Sequence, residues 1–253
     1  MSDLSRYKTI SHHAFVRSLG GGLGFSLSDS CAETMSVADL QSLSKFALSD
    51  IDLNYSSLQG LPALREQIAK LYTGDGVEIE KENVAIFSGA QDALYAAFNS
   101  ILNDGDEVIL FTPCYPPLLE TPRLAGASVV PIPLKYENRW QIDISQVIAA
   151  VTEKTKLILL NFPHNPTGAV LDQNVARDIL TLAKVKGIHL LVDDVSLFSD
   201  FNGIGIQHRL LSYDRTIVVG VMSKSFGLAG VRIGWSITSD LQQLERMMTV
   251  KSY

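Results

Sequence analysis

Two spacings of apolar residues alternate along the chain from about residue 60 onward. In residues 61–72, Leu64, Ile68 and Leu71 recur at helical spacing, and Pro62 is tolerated because it lies in the first turn. The same spacing predicts four more helices, at residues 90–102, 118–124, 144–151 and Gln173–Lys186. Gly187 directly follows the last of these and is typical of a helix end.

Short runs that are almost entirely apolar lie between these helices. They predict strands at Val84–Phe87 and at residues 107–111, 128–131, 156–160, 188–192 and 216–222. Strands that are apolar throughout are buried on both faces, as in a parallel sheet covered by helices. The sequence therefore predicts an α/β fold, a three-layer αβα arrangement around a mostly parallel sheet.

The predicted sheet indicates where a ligand would bind. In open α/β sheets, ligands lie beyond the carboxyl ends of the strands, in the loops that follow them. The loops to inspect therefore follow Phe87, Phe111, Leu160, Val192 and Val221.

Composition and charge exclude several classes of protein. The chain has 253 residues, of which 46% are hydrophobic and 19% charged, and this favours a packed core over disorder. The net charge is -6 without any basic run, so no nucleic-acid partner is expected. Residues 1–11 lack the apolar core of a signal peptide, and no apolar stretch is long enough to span a bilayer, so no membrane partner is expected.

The cysteines and histidines give no sign of a disulfide framework or a metal centre. Cys31 and Cys114 are widely separated, and we interpret them as reduced thiols of a cytoplasmic protein. His164 and His189 do not form a ligand cluster at a recognisable spacing, so no metal is predicted.

The loop after the first strand offers a phosphate site. It reads Ser-Gly-Ala-Gln-Asp from Ser88 to Asp92 and opens a predicted helix, whose free amides and dipole favour an anion. Small residues are also common at such turns without a ligand. The glycine-rich stretch at residues 20–24 lacks the spacing and the strand–helix context of a dinucleotide-binding loop.

Two further loops carry an aromatic ring and an amide. Tyr115 lies among prolines at a strand end, where its ring could form a rigid platform for a flat ligand. Asn165, in the tight loop Asn-Pro-Thr-Gly, directs an amide side chain toward the same edge.

The last two loops carry a carboxylate and an amine. Asp193 follows an apolar strand, so its buried charge needs a partner such as a protonated ring nitrogen, a metal or an arginine. Lys224 also leaves an apolar strand, and desolvation would make its amine a nucleophile toward an aldehyde. It begins a run rich in small residues, SKSFGLAGVRIG from Ser223 to Gly234.

Taken together and in this order, the loops resemble the pyridoxal-phosphate (PLP) binding set of the class I/II aminotransferases, which are fold-type I PLP enzymes. The similarity runs from about Asn54 to the last residue, and its strongest motifs are the Asn-Pro-Thr-Gly loop and the run that contains Lys224. It implies the large domain of a PLP-dependent transferase and a transfer of an amino group between an amino acid and a 2-oxo acid.

The resemblance implies a role for each candidate residue. Lys224 would hold PLP as a Schiff base and then move the proton at Cα, Asp193 would pair with the pyridine nitrogen, and Tyr115 would stack on the ring. Asn165 would bond the ring oxygen. The phosphate ligands would be the backbone of three residues and two side chains, namely Gly89, Ala90, Gln91, Ser223 and Arg232.

The resemblance also implies a homodimer with shared sites. Tyr55 matches the tyrosine that reaches the phosphate of the neighbouring subunit. Residues 1–45 would form an N-terminal arm and small-domain segment, and residues 46–253 the PLP-binding large domain. The C-terminal small domain and its substrate-binding arginine are expected to be absent from this chain, as in a fragment of a longer protein. Cis peptide bonds are expected before Pro113 and Pro166.

Two departures keep other functions open. Ser196 stands where the family has a tyrosine that bonds the ring oxygen, and Val221 stands where it has a phosphate-binding serine. Other PLP chemistry on an amino acid, by a lyase, cyclase or oxidase, is one alternative. A truncated, non-catalytic PLP-binding module is another. Substrate selectivity is expected to depend on residues 19–33 and on the absent C-terminal part.

Overall fold

A computed structural model of the chain describes residues 18, 30, 32–43, 47–52, 54–74, 76–199 and 209–253. The predictions made for Cys31, for the glycine-rich stretch 20–24 and for most of residues 1–45 lie outside these residues.

A seven-stranded sheet forms the centre of the described structure. Its strands, in chain order, are β1 Val84–Phe87, β2 Glu107–Thr112, β3 Ser128–Pro133, β4 Thr155–Asn161, β5 His189–Asp193, β6 Thr216–Val221 and β7 Gly234–Ile237. Their order across the sheet is β1-β7-β6-β5-β4-β2-β3. The pairs from β3 through β6 are parallel, whereas β7 is antiparallel to both β1 and β6. The predicted α/β class with a mostly parallel sheet is confirmed.

The antiparallel strand β7 was not predicted from the sequence. Its four residues, Gly234 to Ile237, directly follow the small-residue run after Lys224 and include a serine, so their pattern gives little strand signal. Because β7 is inserted between β6 and β1, β1 points in the same direction as the parallel strands. The carboxyl end of β1 therefore lies at the same edge of the sheet as the ends of β4, β5 and β6.

Seven α-helices accompany the sheet in the described part of the chain. They are α1 Val37–Leu43, α2 Pro62–Tyr72, α3 Ala90–Ile101, α4 Pro116–Leu124, α5 Ile144–Ala150, α6 Gln173–Lys186 and α7 Leu241–Lys251. Helix α4 begins two residues earlier than predicted, because Pro116 and Pro117 occupy its first turn. Proline is tolerated there, since a backbone N–H in the first turn has no partner within the helix. Helix α6 ends as predicted at Gly187, which adopts a left-handed conformation with φ 66°.

Two hydrophobic cores, one on each face of the sheet, hold the three layers together. On one face the strands pack against α2, α5 and α6, with side chains such as Ile68, Val147 and Ile179. On the other face they pack against α3, α4 and α7, with side chains such as Phe98 and Met247. Alternate residues of each strand point to opposite cores, which explains why the strands are apolar at almost every position. None of the described helices has the length and apolar character needed to cross a bilayer.

Candidate active site

The carboxyl edge of the sheet brings the predicted loops together. Asn161, the last residue of β4, is directly opposite Asp193, the last residue of β5. The Asn161 side-chain amide donates to the Asp193 carbonyl (3.2 Å), and its Oδ1 accepts from the Asn165 backbone N–H (3.1 Å). One buried asparagine therefore fixes the loop that carries Asn165 to the strand end that carries Asp193.

The Asp193 carboxyl group is buried, with 3% of its residue surface exposed. Burial raises the pKa of Asp193 to about 7, although a bond from the Val195 backbone N–H (3.4 Å) and the charge of Lys224 both lower it. A carboxyl group in this position is stabilised in its ionised form only by an additional cationic or N–H partner.

The amine of Lys224 lies at the same edge of the sheet, one loop away from β6. Its charge acts on Asp193, so the two groups are close enough to interact electrostatically. The Lys224 Nζ donates to the Ser30 hydroxyl (2.7 Å), and the Lys224 carbonyl accepts from the Ala32 N–H (3.3 Å). The segment before α1 therefore lies over the lysine loop.

The candidate anion site lies where α3 begins, and we call it the anion site below. Gly89 has φ 95° and precedes the helix, and a Cβ at Gly89 would lie 2.5 Å from the Nη2 of Arg232. The Arg232 Nη1 donates to the Ala229 carbonyl (3.1 Å) and, at 3.5 Å, to the Ser223 hydroxyl. Among the described residues, no carboxylate forms an ion pair with Arg232. A guanidinium, a hydroxyl and a helix N-terminus thus converge on one small space, as phosphate recognition requires.

The backbone amides of this site have distinct partners. The Ser88 N–H donates to the Asp92 carboxylate (2.9 Å), and the Gly89 N–H donates to the Phe87 carbonyl (2.8 Å). Gly89 therefore contributes space rather than a donor, whereas Ala90 and Gln91 are in the first helical turn, where no helix carbonyl can accept their N–H groups. The Gln91 side chain itself turns away from the space and donates to the Thr121 hydroxyl (3.1 Å).

The loops that carry Tyr115 and Asn165 follow β2 and β4 at the carboxyl edge of the sheet. Tyr115 is half-buried and directly precedes α4, and Asn165 is half-buried in the loop after β4. Cis peptide bonds precede Pro113 and Pro166, as expected, and also Pro163, which was not predicted.

Three predicted positions lie apart from this cluster or lack the expected group. Tyr55 is fully exposed and forms no part of the cluster within one chain. Val221 is buried and offers no hydroxyl to an anion. Ser196, in the turn after Asp193, is half-buried. Its side chain is too short to place a hydroxyl where that of a tyrosine at the same position would lie.

Sequence reasoning did not identify Asn161, Ser30 or Asp92 as parts of the site. Asn161 ends an apolar run and could have been suspected, because a buried amide at a strand end needs partners. Asp92 follows the small-residue turn at capping distance from Ser88, which is a recognisable helix-start pattern. The contact of Ser30 with Lys224 joins residues 194 positions apart and leaves no local signal.

The cofactor implied by the resemblance fits these residues. The first turn of α3 with Arg232 accommodates a phosphate, and a Cβ at Gly89 would fill part of that space. The buried Asp193 matches a protonated ring nitrogen, and Lys224 presents an amine that can bond to an aldehyde.

Comparison with known proteins identifies the family of these loops. Residues 27–252 match the family model described as aminotransferase class I and II. An aspartate aminotransferase of Pyrococcus horikoshii is 32% identical over 219 residues, which are 85% of this chain and 55% of that protein. An arginine–pyruvate transaminase of Pseudomonas aeruginosa is 34% identical over 187 residues, 73% of this chain and 48% of that protein.

Solved structures show the same architecture. An aspartate aminotransferase from Thermus thermophilus superposes with a TM-score of 0.74 and 30% identity, covering 79% of this chain and 52% of that one. A second structure, titled Pyrococcus protein-A1, superposes with a TM-score of 0.87 and 27% identity over 99% of this chain and 66% of that one. The chain thus spans about half the length of the curated relatives that it matches.

Proposed function

The chain belongs to the class I and II aminotransferase family, whose enzymes use pyridoxal phosphate, and from this premise we propose that it carries the PLP-binding half of an aminotransferase active site. The reaction would move an amino group between an amino acid and a 2-oxo acid. The observation that carries the proposal is the convergence of the buried Asp193, the amine of Lys224 and the anion site of α3 on one edge of the sheet.

Each side chain has a task that follows from its surroundings. Lys224 would hold the cofactor aldehyde and afterwards move a proton at the substrate Cα. Asp193 would hold a proton on the ring nitrogen, because its buried carboxylate requires a cationic partner. The bound cofactor supplies an electron sink for the charge that develops at Cα.

The remaining residues would bind and orient. Arg232, Ser223 and the amides of Ala90 and Gln91 would hold the phosphate. Asn161, through its bonds to both loops, would fix the distance between Asn165 and Asp193. Tyr115 would cover one face of the ring, which excludes water from the reacting atoms.

Borohydride reduction tests this assignment directly. The purified chain is incubated with PLP, reduced and mapped by peptide mass, with Lys224→Met as the control. We expect one pyridoxyl adduct, on the peptide that contains Lys224, and none at that position in the variant. An adduct spread over surface lysines, with no enrichment at Lys224 in the folded chain, would refute the proposal.

Other PLP chemistry is a second candidate, favoured by Ser196. A tyrosine at this position would donate a hydrogen bond to the ring oxygen. The shorter side chain of Ser196 would not provide this bond, so the electron distribution of the bound ring would differ. Incubation of the PLP-loaded protein with amino acids distinguishes the two. Formation of pyridoxamine phosphate with a 2-oxo acid indicates transamination, whereas release of ammonia with regenerated PLP indicates elimination.

We further propose a homodimer in which Tyr55 reaches the site of the second copy. Support comes from a set of exposed apolar side chains in the segment before and after Tyr55, with Leu43 75% and Leu61 59% exposed. Exposed apolar side chains grouped along one segment are typical of an interface. A cytoplasmic location stays a prediction of the sequence.

A further inference from the structure

Lys251, the last residue of α7, joins three separate parts of the molecule. Its Nζ donates to the Leu58 carbonyl and to the Ile86 carbonyl (2.7 Å), and it lies 5.3 Å from the centre of the Phe87 ring. Leu58 belongs to the segment that carries Tyr55. Ile86 and Phe87 end β1, directly before the turn that opens the anion site.

Other contacts align the Tyr55 segment with β1 as far as the Ile86 N–H. The Gln59 side-chain amide donates to the carbonyls of Glu82 (3.0 Å) and Val84 (2.9 Å), and the Ile86 N–H donates to the Gln59 carbonyl (2.9 Å). Gly60 permits this close approach, since a Cβ there would lie 2.3 Å from the Ile86 side chain. The bonds of Lys251 continue the alignment to the end of β1.

The amine of Lys251 is partly removed from water. Burial lowers the pKa of Lys251, while the nearby Asp92 carboxylate raises it. Asp92 is also the residue that accepts from the Ser88 N–H in the turn before α3. The ammonium thus lies among the strand end, the turn and the Tyr55 segment, and its two carbonyl partners fix it in one position. A methionine of similar length would keep the packing but would form neither bond.

We propose that Lys251 is a positioning residue that holds the anion site of α3 and the Tyr55 segment in one fixed arrangement. The role of Tyr55 in this inference rests on the proposed function, in which Tyr55 binds the phosphate in the second copy. Lys251 is not one of the proposed phosphate ligands and acts through the backbone of Leu58 and Ile86.

The test compares a ligand that has the phosphate with one that lacks it. Dissociation constants of PLP and of pyridoxal are measured by absorbance for the wild-type chain and for Lys251→Met. We expect the preference for PLP over pyridoxal to fall about tenfold in Lys251→Met, because only the phosphate end depends on this arrangement. Lys251→Arg keeps a cation and N–H donors and is expected to retain most of the preference.

Lys184→Met is the matched control. Lys184 also lies over an aromatic ring, that of Tyr213 at 5.9 Å, but on the exposed surface of α6. Its loss is expected to leave both dissociation constants unchanged. An equal loss of PLP and pyridoxal binding in Lys251→Met, or an unchanged preference, overturns the inference, because either result means that Lys251 supports only the general fold.

Tyr55→Phe separates this inference from the proposed function. If both residues act on one phosphate, Tyr55→Phe lowers the preference for PLP, and adding Lys251→Met lowers it by less than the product of the two single effects. If Tyr55→Phe has no effect while Lys251→Met does, the proposed role of Tyr55 is wrong and the positioning of the anion site by Lys251 stands. If the double variant shows the full product of the two single effects, Tyr55 and Lys251 act independently and the inferred coupling between them is wrong.

Discussion

Burial shifts the pKa values of two residues of β5 in opposite directions. Burial raises the pKa of Asp193, at the carboxyl end, to about 7. Burial and the charges of Arg215 and Arg246 lower the pKa of His189, at the amino end, to about 4. As pH rises from about 4 to 7, the unfolded chain releases the Asp193 proton first, so this residue lowers the free energy of unfolding. His189 has the opposite effect: as pH rises from about 4 to 6.5, it raises the free energy of unfolding, because the folded chain releases the imidazole proton at a lower pH than the unfolded chain does.

Replacement of Asp193 by asparagine removes the contribution of Asp193 to the pH dependence of stability and leaves that of His189. In the cofactor-free protein we expect Asp193→Asn to melt at nearly the wild-type temperature at pH 4 and about 5 °C above it at pH 8, because the variant carries no buried charge at high pH. The variant should also gain less thermal stability from PLP, because the amide cannot neutralise a protonated ring nitrogen. Thermal melts at the two pH values, with and without PLP, measure both effects. A difference in melting temperature that does not change with pH would contradict a raised pKa of Asp193.

At the scale of elements, the approach of β7 to α3 determines the shape of the anion site. A Cβ on Gly234 would lie 2.4 Å from the backbone carbon of Gly89 and 2.5 Å from the Ala90 nitrogen. Both neighbours are backbone atoms, so neither can move without displacing the start of the helix.

Gly234→Ala is therefore expected to separate the strand from the helix. We predict that the free energy of unfolding in urea falls by about 1–3 kcal/mol. We also predict that the affinity for PLP falls more than the affinity for pyridoxal. Gly230→Ala is the control, since a Cβ there meets no atom within 4 Å. Equal affinity for PLP in both variants would show that the strand does not shape the site.

The sequence predicts elements well where one periodicity extends over many residues. Helix α6 and strand β1 have the predicted bounds, because each packs a regular apolar pattern into a core. Strand β7 was missed because its four residues give little strand signal and one of its two partners, β1, lies far away in the chain. Among site residues, Lys224, Asp193 and Arg232 could be proposed from motifs, and their roles stay predictions. The contacts of Asn161 and Lys251 could not, since each joins segments that only the folded sheet brings together.

At the scale of the whole molecule, the described residues between Met35 and Leu61 include several exposed apolar side chains. The exposed large apolar side chains before and within the Tyr55 segment are, among the described residues, Met35, Val37, Leu43, Ile51, Tyr55, Leu58 and Leu61. The part of this segment from Leu58 to Gly60 is held against β1, which ends at the anion site. In the proposed homodimer, a second copy that covers the segment receives Tyr55 at its own phosphate. The oligomeric state and the affinity for phosphate are therefore expected to change together.

Leu61→Glu tests this linkage, because it places a charge in the proposed interface without touching the anion site. We expect sedimentation to show a shift from dimer to monomer, and PLP to bind with the affinity measured for Tyr55→Phe, since a monomer receives no tyrosine from a second copy. Val185→Glu is the matched control: Val185 is 76% exposed on α6, on the opposite face of the sheet from α3, and its replacement should change neither property. If Leu61→Glu abolished the dimer but left PLP affinity unchanged, Tyr55 would serve only the interface, and the phosphate would be bound by residues of one chain alone.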